Sequence, residues 1–144
     1  MKKILLLFLA GTSLLACKQA DKKTASANTA DPASLTTLEW LDTRELNMGK
    51  IVEGQELEVA FRFKNTGNKA LIISNVSAQC GCTIPETPKE PFAPGQEGVI
   101  KAKFNSDNRG GSTNTKEVYV VANTDPGRTV LVFKVEVQKK DMKN

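Results

Sequence analysis

The sequence predicts an all-β fold, an antiparallel β-sandwich of about seven strands. Three observations support this prediction. Apolar and charged residues alternate with a period of two in several segments, as in strands with one buried face. Clusters of asparagine, glycine and proline separate these segments. No segment shows a convincing helical pattern, and this combination is typical of sandwiches and barrels.

The strands follow in chain order. A first strand is predicted around Leu38 to Leu41 with Trp40, and a short second one at 48–52. Another strand begins at Leu71, and turns are expected at 65–68, 108–111 and 123–127. The expected inward rows are Leu57, Val59, Phe61 and Phe63; Ile100, Ala102 and Phe104; Val118, Val120 and Ala122; and Leu131, Phe133, Val135 and Val137. About 100 residues with about seven strands fit an immunoglobulin-like sandwich.

The start of the chain has the features of a bacterial lipoprotein signal peptide, assigned to residues 1–16. Lys2 and Lys3 precede an apolar run at 4–9, which is shorter than the roughly 20 residues that span a bilayer. The sequence Leu-Leu-Ala-Cys at 14–17 resembles a lipobox. In lipoproteins, the cysteine thiol receives a diacylglycerol and becomes the mature N-terminus. Cys17 is therefore the predicted lipidation site, and the alternative is an ordinary cleaved signal.

The remaining chain divides into three parts. Residues 17–35 contain the lipidated cysteine and a flexible tether, because this polar stretch has no apolar periodicity. The immunoglobulin-like domain is assigned to 36–138, and a basic tail to 139–144. This organisation predicts a cell-envelope protein held in the membrane, with the outer membrane expected, by its N-terminal lipid.

Composition argues against several functional classes. The chain has no histidine, the commonest general base and metal ligand. Its net charge of +4 is not organised into a basic helix or an aromatic and arginine stripe, so no nucleic-acid partner is expected. No phosphate-binding loop or nucleophile elbow is present. We expect no catalytic residues, cofactor or metal, but a binding or structural module with an envelope protein partner.

Cys80-Gly81-Cys82 is the most unusual motif. Lipidation of Cys17 would leave these two as the only free cysteines. A structural corner is the preferred interpretation, with either a disulfide or a thiol pair. A bridge across one residue needs a kink, which Gly81 permits, and Ile84 and Phe92 are expected to cover the corner. A labile redox disulfide and a Cu(I) site of two thiolates are the alternatives.

Prolines follow this motif at every third position, at 85, 88, 91 and 94. A polyproline II helix has three residues per turn, so these rings would line one edge of a stiff segment. A rigid crossover between the two sheets is preferred to a ligand for a proline-reading module.

Several motifs together resemble the bacterial family called domain of unknown function 1573. The matching positions are Phe63, Asn65 to Gly67, Leu71, Ile73, Cys80 to Thr83, Pro94-Gly95 and Val118 to Asn123. The segment LNMGKIVEG at 46–54 also resembles the family's entry, with Met48 in place of its usual phenylalanine. The resemblance implies an exported immunoglobulin-like domain, often found in lipoproteins of Bacteroidetes-type bacteria. It implies no reaction, because the family has no established activity.

Overall fold

A computed structural model describes residues 34–141, which contain eight β-strands and form a β-sandwich. The strands are β1 (Leu38–Trp40), β2 (Glu45–Val52), β3 (Glu56–Asn65), β4 (Ile73–Ala78), β5 (Thr83–Pro85), β6 (Glu97–Asn105), β7 (Ser112–Ala122) and β8 (Arg128–Gln138). One sheet has the order β1-β3-β6-β5, and the other has the order β2-β8-β7-β4. All neighbouring strands are antiparallel except β2 and β8, which are parallel.

The predicted inward rows form the core that joins the two sheets. Val59, Phe61 and Phe63 of β3 are buried, as are the predicted rows of β6, β7 and β8. Leu57 is only half-buried. Phe104 and Phe133 meet edge to face across the sheets, with ring centroids 5.8 Å apart. The period-two pattern therefore predicts the buried face of each long strand, and the all-β sandwich is confirmed.

The outer face of the first sheet is charged. β3 and β6 pair with Phe61 opposite Ile100, which places their charged residues side by side on the solvent face. Glu58 meets Lys101 and Glu56 meets Lys103, each at 3.4 Å. These pairs are exposed and contribute little stability, but they keep this face soluble.

Three expectations about the middle of the chain need correction. β4 begins at Ile73, and Leu71 forms an isolated bridge with Phe92 instead. Thr83–Pro85 adds an eighth strand within the proline-rich segment. That segment does not cross between sheets, because it connects β5 to β6 of the same sheet. The crossover is made by residues 79–82, since β4 and β5 belong to different sheets.

The predicted signal peptide, Cys17 and most of the tether lie outside the described residues, as does Lys143 of the tail. The first residue that the structure describes is Ser34, whose carbonyl accepts a hydrogen bond from Asn123 Nδ2 at 2.8 Å. Within residues 34–141, no helix has the length and apolar character needed to cross a membrane.

Candidate functional site

The Cys80-Gly81-Cys82 corner is a tight turn closed by two bonds. The Thr83 amide donates to the Cys80 carbonyl at 3.2 Å, and a disulfide joins Cys80 to Cys82 with their Cα atoms 5.3 Å apart. Gly81 is exposed at the tip. Its φ lies outside the left-handed region, and an added Cβ would meet no atom within 4 Å. The bend therefore does not require the special freedom of glycine that the sequence suggested.

The two sulfurs lie between the core and the surface. Cys82 is half-buried against the core, and its carbonyl accepts a hydrogen bond from the Asn105 amide at 2.9 Å. Thr83 Oγ1 lies 3.9 Å from the Cys80 sulfur and 4.0 Å from the Cys82 sulfur. Ile84 does not cover the corner as expected, because it is 63% exposed. In β5, Thr83 faces inward, and the alternation of strand residues turns Ile84 to solvent.

The segment 86–92, here called the proline arm, runs beside the edge of β4. Thr87 Oγ1 accepts a hydrogen bond from the Val76 amide at 3.0 Å. At the far end of the arm, Phe92 and Leu71 exchange two backbone hydrogen bonds of 2.9 Å each. Phe92 also packs edge to face on Phe63 at 4.9 Å. The arm therefore covers a strand edge that would otherwise be open to other chains.

Two further edges carry their own protection. In β2, the amides of Gly49 and Val52 donate to the side chains of Asn47 and Gln55, at 3.0 and 2.7 Å. A register shift between Asn47 and Lys50 also interrupts this edge. In β5, Pro85 has no N–H to offer to another strand.

β1 is the edge that lacks such protection among residues 34–141. On the side that faces its neighbour β3, the Leu41 amide donates a hydrogen bond to the Arg62 carbonyl. On the same side, the Thr37 carbonyl accepts a hydrogen bond from the Thr66 amide. Successive residues of a strand direct their backbone groups to opposite sides. The N–H and C=O groups of Leu38 and Trp40 therefore point away from β3, toward the outside of the sheet.

A groove of about 440 Å³ lies along this edge, here called the β1 groove. Its walls are β1 and the loop 124–126, with Arg44 at the Trp40 end. Trp40 is half-buried and packs edge to face on Phe63 at 5.8 Å. Nearby, Asp42 binds Arg62 at 2.7 Å, and these hydrogen bonds lower the pKa of the Asp42 carboxyl. Arg44 is exposed and forms no ion pair within residues 34–141.

Two asparagines join the loops beside the β1 groove. Asn65 is fully buried, accepts a hydrogen bond from Thr36 Oγ1 and donates to the carbonyls of Lys69 and Phe92. Asn123 accepts from the Ile72 amide and donates to the carbonyls of Ser34 and Ala70. The sequence predicts turns at 65–68 and 123–127, which begin at these two residues. Their position at the ends of buried strand rows was the available signal, because it places a polar side chain next to the core.

No cluster of three or more histidine, cysteine or acidic side chains that could hold a metal occurs within residues 34–141. Every buried side-chain nitrogen and oxygen in this range has a hydrogen-bond partner.

Solved structures share this architecture at low sequence identity. A protein of unknown function from Porphyromonas gingivalis W83 matches 75% of this chain and 50% of its own, with a TM-score of 0.60 and 15% identity. The ASH/PapD-like domain 7 of human CEP192 matches 84% of this chain and 97% of its own, with a TM-score of 0.56 and 10% identity. The secreted serine protease VesC from Vibrio cholerae matches 71% of this chain and 23% of its own, with a TM-score of 0.52 and 12% identity.

These likenesses establish the immunoglobulin-like, PapD-like fold. This chain spans half of the P. gingivalis protein and less than a quarter of the protease. No curated protein matches the sequence. The model of the family described as protein of unknown function (DUF1573) matches residues 39–137, from the middle of β1 almost to the end of β8. The chain therefore belongs to the DUF1573 family.

Proposed function

We propose that this protein is a lipid-anchored lipoprotein of the bacterial cell envelope whose immunoglobulin-like domain is a non-enzymatic binding module. The observation that supports export is the distribution of the three cysteines. Cys80 and Cys82 are joined in a disulfide, a bond that persists in oxidising compartments outside the cytoplasm. Cys17 is left without either as a partner, at the position where a lipobox places the acylated cysteine.

The lipid would supply stable attachment without a membrane-spanning segment. Each buried methylene contributes about 0.8 kcal/mol, so two or three acyl chains suffice for lasting anchorage. Residues 17–33 would connect the lipid to the sandwich, because the polar tether predicted from the sequence leads to Ser34, which bonds to Asn123 of the domain. We place the protein at the outer membrane, with an envelope protein as its partner.

Replacing Cys17 by serine tests the anchor. We expect Cys17→Ser to leave the membrane fraction or to accumulate as the unprocessed precursor, because serine has no thiol to accept the diacylglycerol. Cys80→Ser is the matched control, since it removes a cysteine from the domain without touching the lipobox. The measurement is immunoblotting of membrane and soluble fractions. A Cys17→Ser protein that is processed and fractionates like the wild type contradicts the proposal.

A second candidate is a thiol-disulfide protein of the envelope, and the exposed corner favours it. The disulfide closes a loop of one intervening residue, so it removes little entropy from the unfolded chain, about 1–2 kcal/mol. Its reduction would therefore leave the domain folded. In the reaction, a substrate dithiol forms its own disulfide and transfers two electrons and two protons to Cys80 and Cys82.

Catalysis separates the two candidates. If the domain is a non-enzymatic binding module, the wild-type protein should not accelerate the reduction of insulin by glutathione. Its rate should equal that of the Cys80→Ala/Cys82→Ala variant. Faster reduction by the wild type, lost in the double variant, supports the thiol-disulfide protein. Circular dichroism of the double variant verifies that the fold is intact.

A further inference from the structure

We propose that the β1 groove binds an extended, acidic segment of a partner polypeptide, which adds to the edge of β1. The inference rests on the proposed role as a binding module and names the surface and the partner's chemistry.

The backbone of β1 offers the first part of the site. Leu38 and Trp40 direct their N–H and C=O groups into the groove, where they have no strand neighbour within residues 34–141. An extended peptide backbone presents the matching alternation of donors and acceptors. Because β1 has three residues, the added strand would form few backbone bonds, and side chains must supply further affinity.

Side chains at the groove give it a preference. Trp40 lines the wall beside the free edge and presents an aromatic surface for an apolar side chain. Arg44 follows β1 and marks one end of the groove, and the Arg44 carbonyl is fixed by the Val132 amide at 2.7 Å. Its guanidinium is free to form a bidentate pair with a carboxylate. Arg62 does not compete for the partner's carboxylate, because Arg62 is already paired with Asp42.

Asp125 is an acidic residue of the groove wall. It lies on the opposite wall, in the loop that follows Asn123, whose carbonyl accepts a hydrogen bond from the Thr36 amide at 2.9 Å. This hydrogen bond holds the start of the loop at the Thr36 end of the groove. The acidic residue of the partner therefore belongs at the Trp40 end, where Arg44 lies.

The protection of the other edges supports the choice of β1. The proline arm covers β4, side chains of Asn47 and Gln55 occupy amides of β2, and Pro85 interrupts β5. These features are of the kind that protects edge strands from pairing with other chains, so strand addition to these three edges is disfavoured. β1 has no such device within residues 34–141 apart from its shortness.

Trp40 is the only tryptophan of the chain, so its fluorescence reports the groove. The experiment titrates the full-length protein, in detergent, with a peptide that alternates glutamate and valine, and with a control that alternates lysine and valine. Hydrogen exchange of the segment containing β1 locates the binding. The variants are Arg44→Glu, with Lys89→Glu as the matched control on the proline arm, and Leu38→Pro. Proline removes the free amide of Leu38 and is tolerated at strand edges.

The acidic peptide should change Trp40 fluorescence saturably and slow exchange at Leu38 and Trp40. Arg44→Glu should weaken binding by about tenfold or more, while Lys89→Glu leaves it unchanged, since electrostatic complementarity is lost only at the groove. Leu38→Pro should abolish slowed exchange in β1. No saturable change with the acidic peptide, equal binding of the lysine peptide, or protection confined to the surface around Ile72 and Val121 overturns the inference.

Self-association through β1, seen as a concentration-dependent dimer that excludes the peptide, also overturns it. Anchoring is measured independently by the Cys17→Ser fractionation. Anchoring that is lost in Cys17→Ser, without peptide binding by the wild type, therefore refutes this site alone. Anchoring that persists in Cys17→Ser, with intact peptide binding, refutes only the lipoprotein.

Discussion

Asn65 and Asn123 stabilise the end of the sandwich where the chain enters it. Asn65 ends β3 and Asn123 follows β7, and their side chains reach loops that are distant in sequence. The neighbouring Gly67 is required by this packing, because a Cβ there would overlap Thr36. The Asn-Thr-Gly motif is thus a docking point for the entering chain as well as a turn.

Asn123→Ala should destabilise the domain by about 2–4 kcal/mol, because it removes three hydrogen bonds, which join this side chain to the Ile72 amide and to the carbonyls of Ser34 and Ala70. Asn75→Ala is the matched control, since Asn75 is exposed on β4 and should change stability by less than about 0.5 kcal/mol. Urea denaturation measures both. Equal stability of the two variants would mean that the Asn123 hydrogen bonds make no net contribution to the free energy of unfolding.

At the scale of strands, alternation in the sequence predicts which face of a strand is buried and not what lies along its edge. It therefore identified the inward rows of β3, β6, β7 and β8, all of which have residues in the core. It missed β5 and the function of the proline arm, because these depend on contacts between distant residues, such as Thr87 with Val76. The proline spacing suggested a stiff segment, but its covering of β4 is a tertiary property.

The candidate site was predictable only in part, for the same reason. The sequence identified Cys80 and Cys82 as a pair, and the structure joins them at the crossover between sheets. The β1 groove was not predictable, because Trp40, Arg44 and Asp125 come together only when β1 packs beside the loop after β7. Trp40 is half-buried, with one side against Phe63.

Within residues 34–141, the molecule combines a two-sheet sandwich with one accessible strand edge. Charged pairs occupy the outer face of one sheet. Three of the four edge strands are protected: the proline arm covers β4, side chains accept hydrogen bonds from amides of β2, and β5 contains Pro85. The accessible edge of β1 lies next to Ser34, where the chain comes from the proposed lipid anchor. A partner bound there would lie on the side of the domain closest to its tether.

We propose that the mature protein is an exported lipoprotein with an oxidised Cys80–Cys82 pair. Intact-protein mass spectrometry of the protein purified from membranes without reductant tests it most directly. We expect a chain that begins at Cys17, carries the added mass of a diacylglyceryl group with or without an N-acyl chain, and gains two hydrogens on reduction. An unmodified N-terminus at any residue, or a mass that reduction leaves unchanged, is incompatible with a lipoprotein that holds this disulfide.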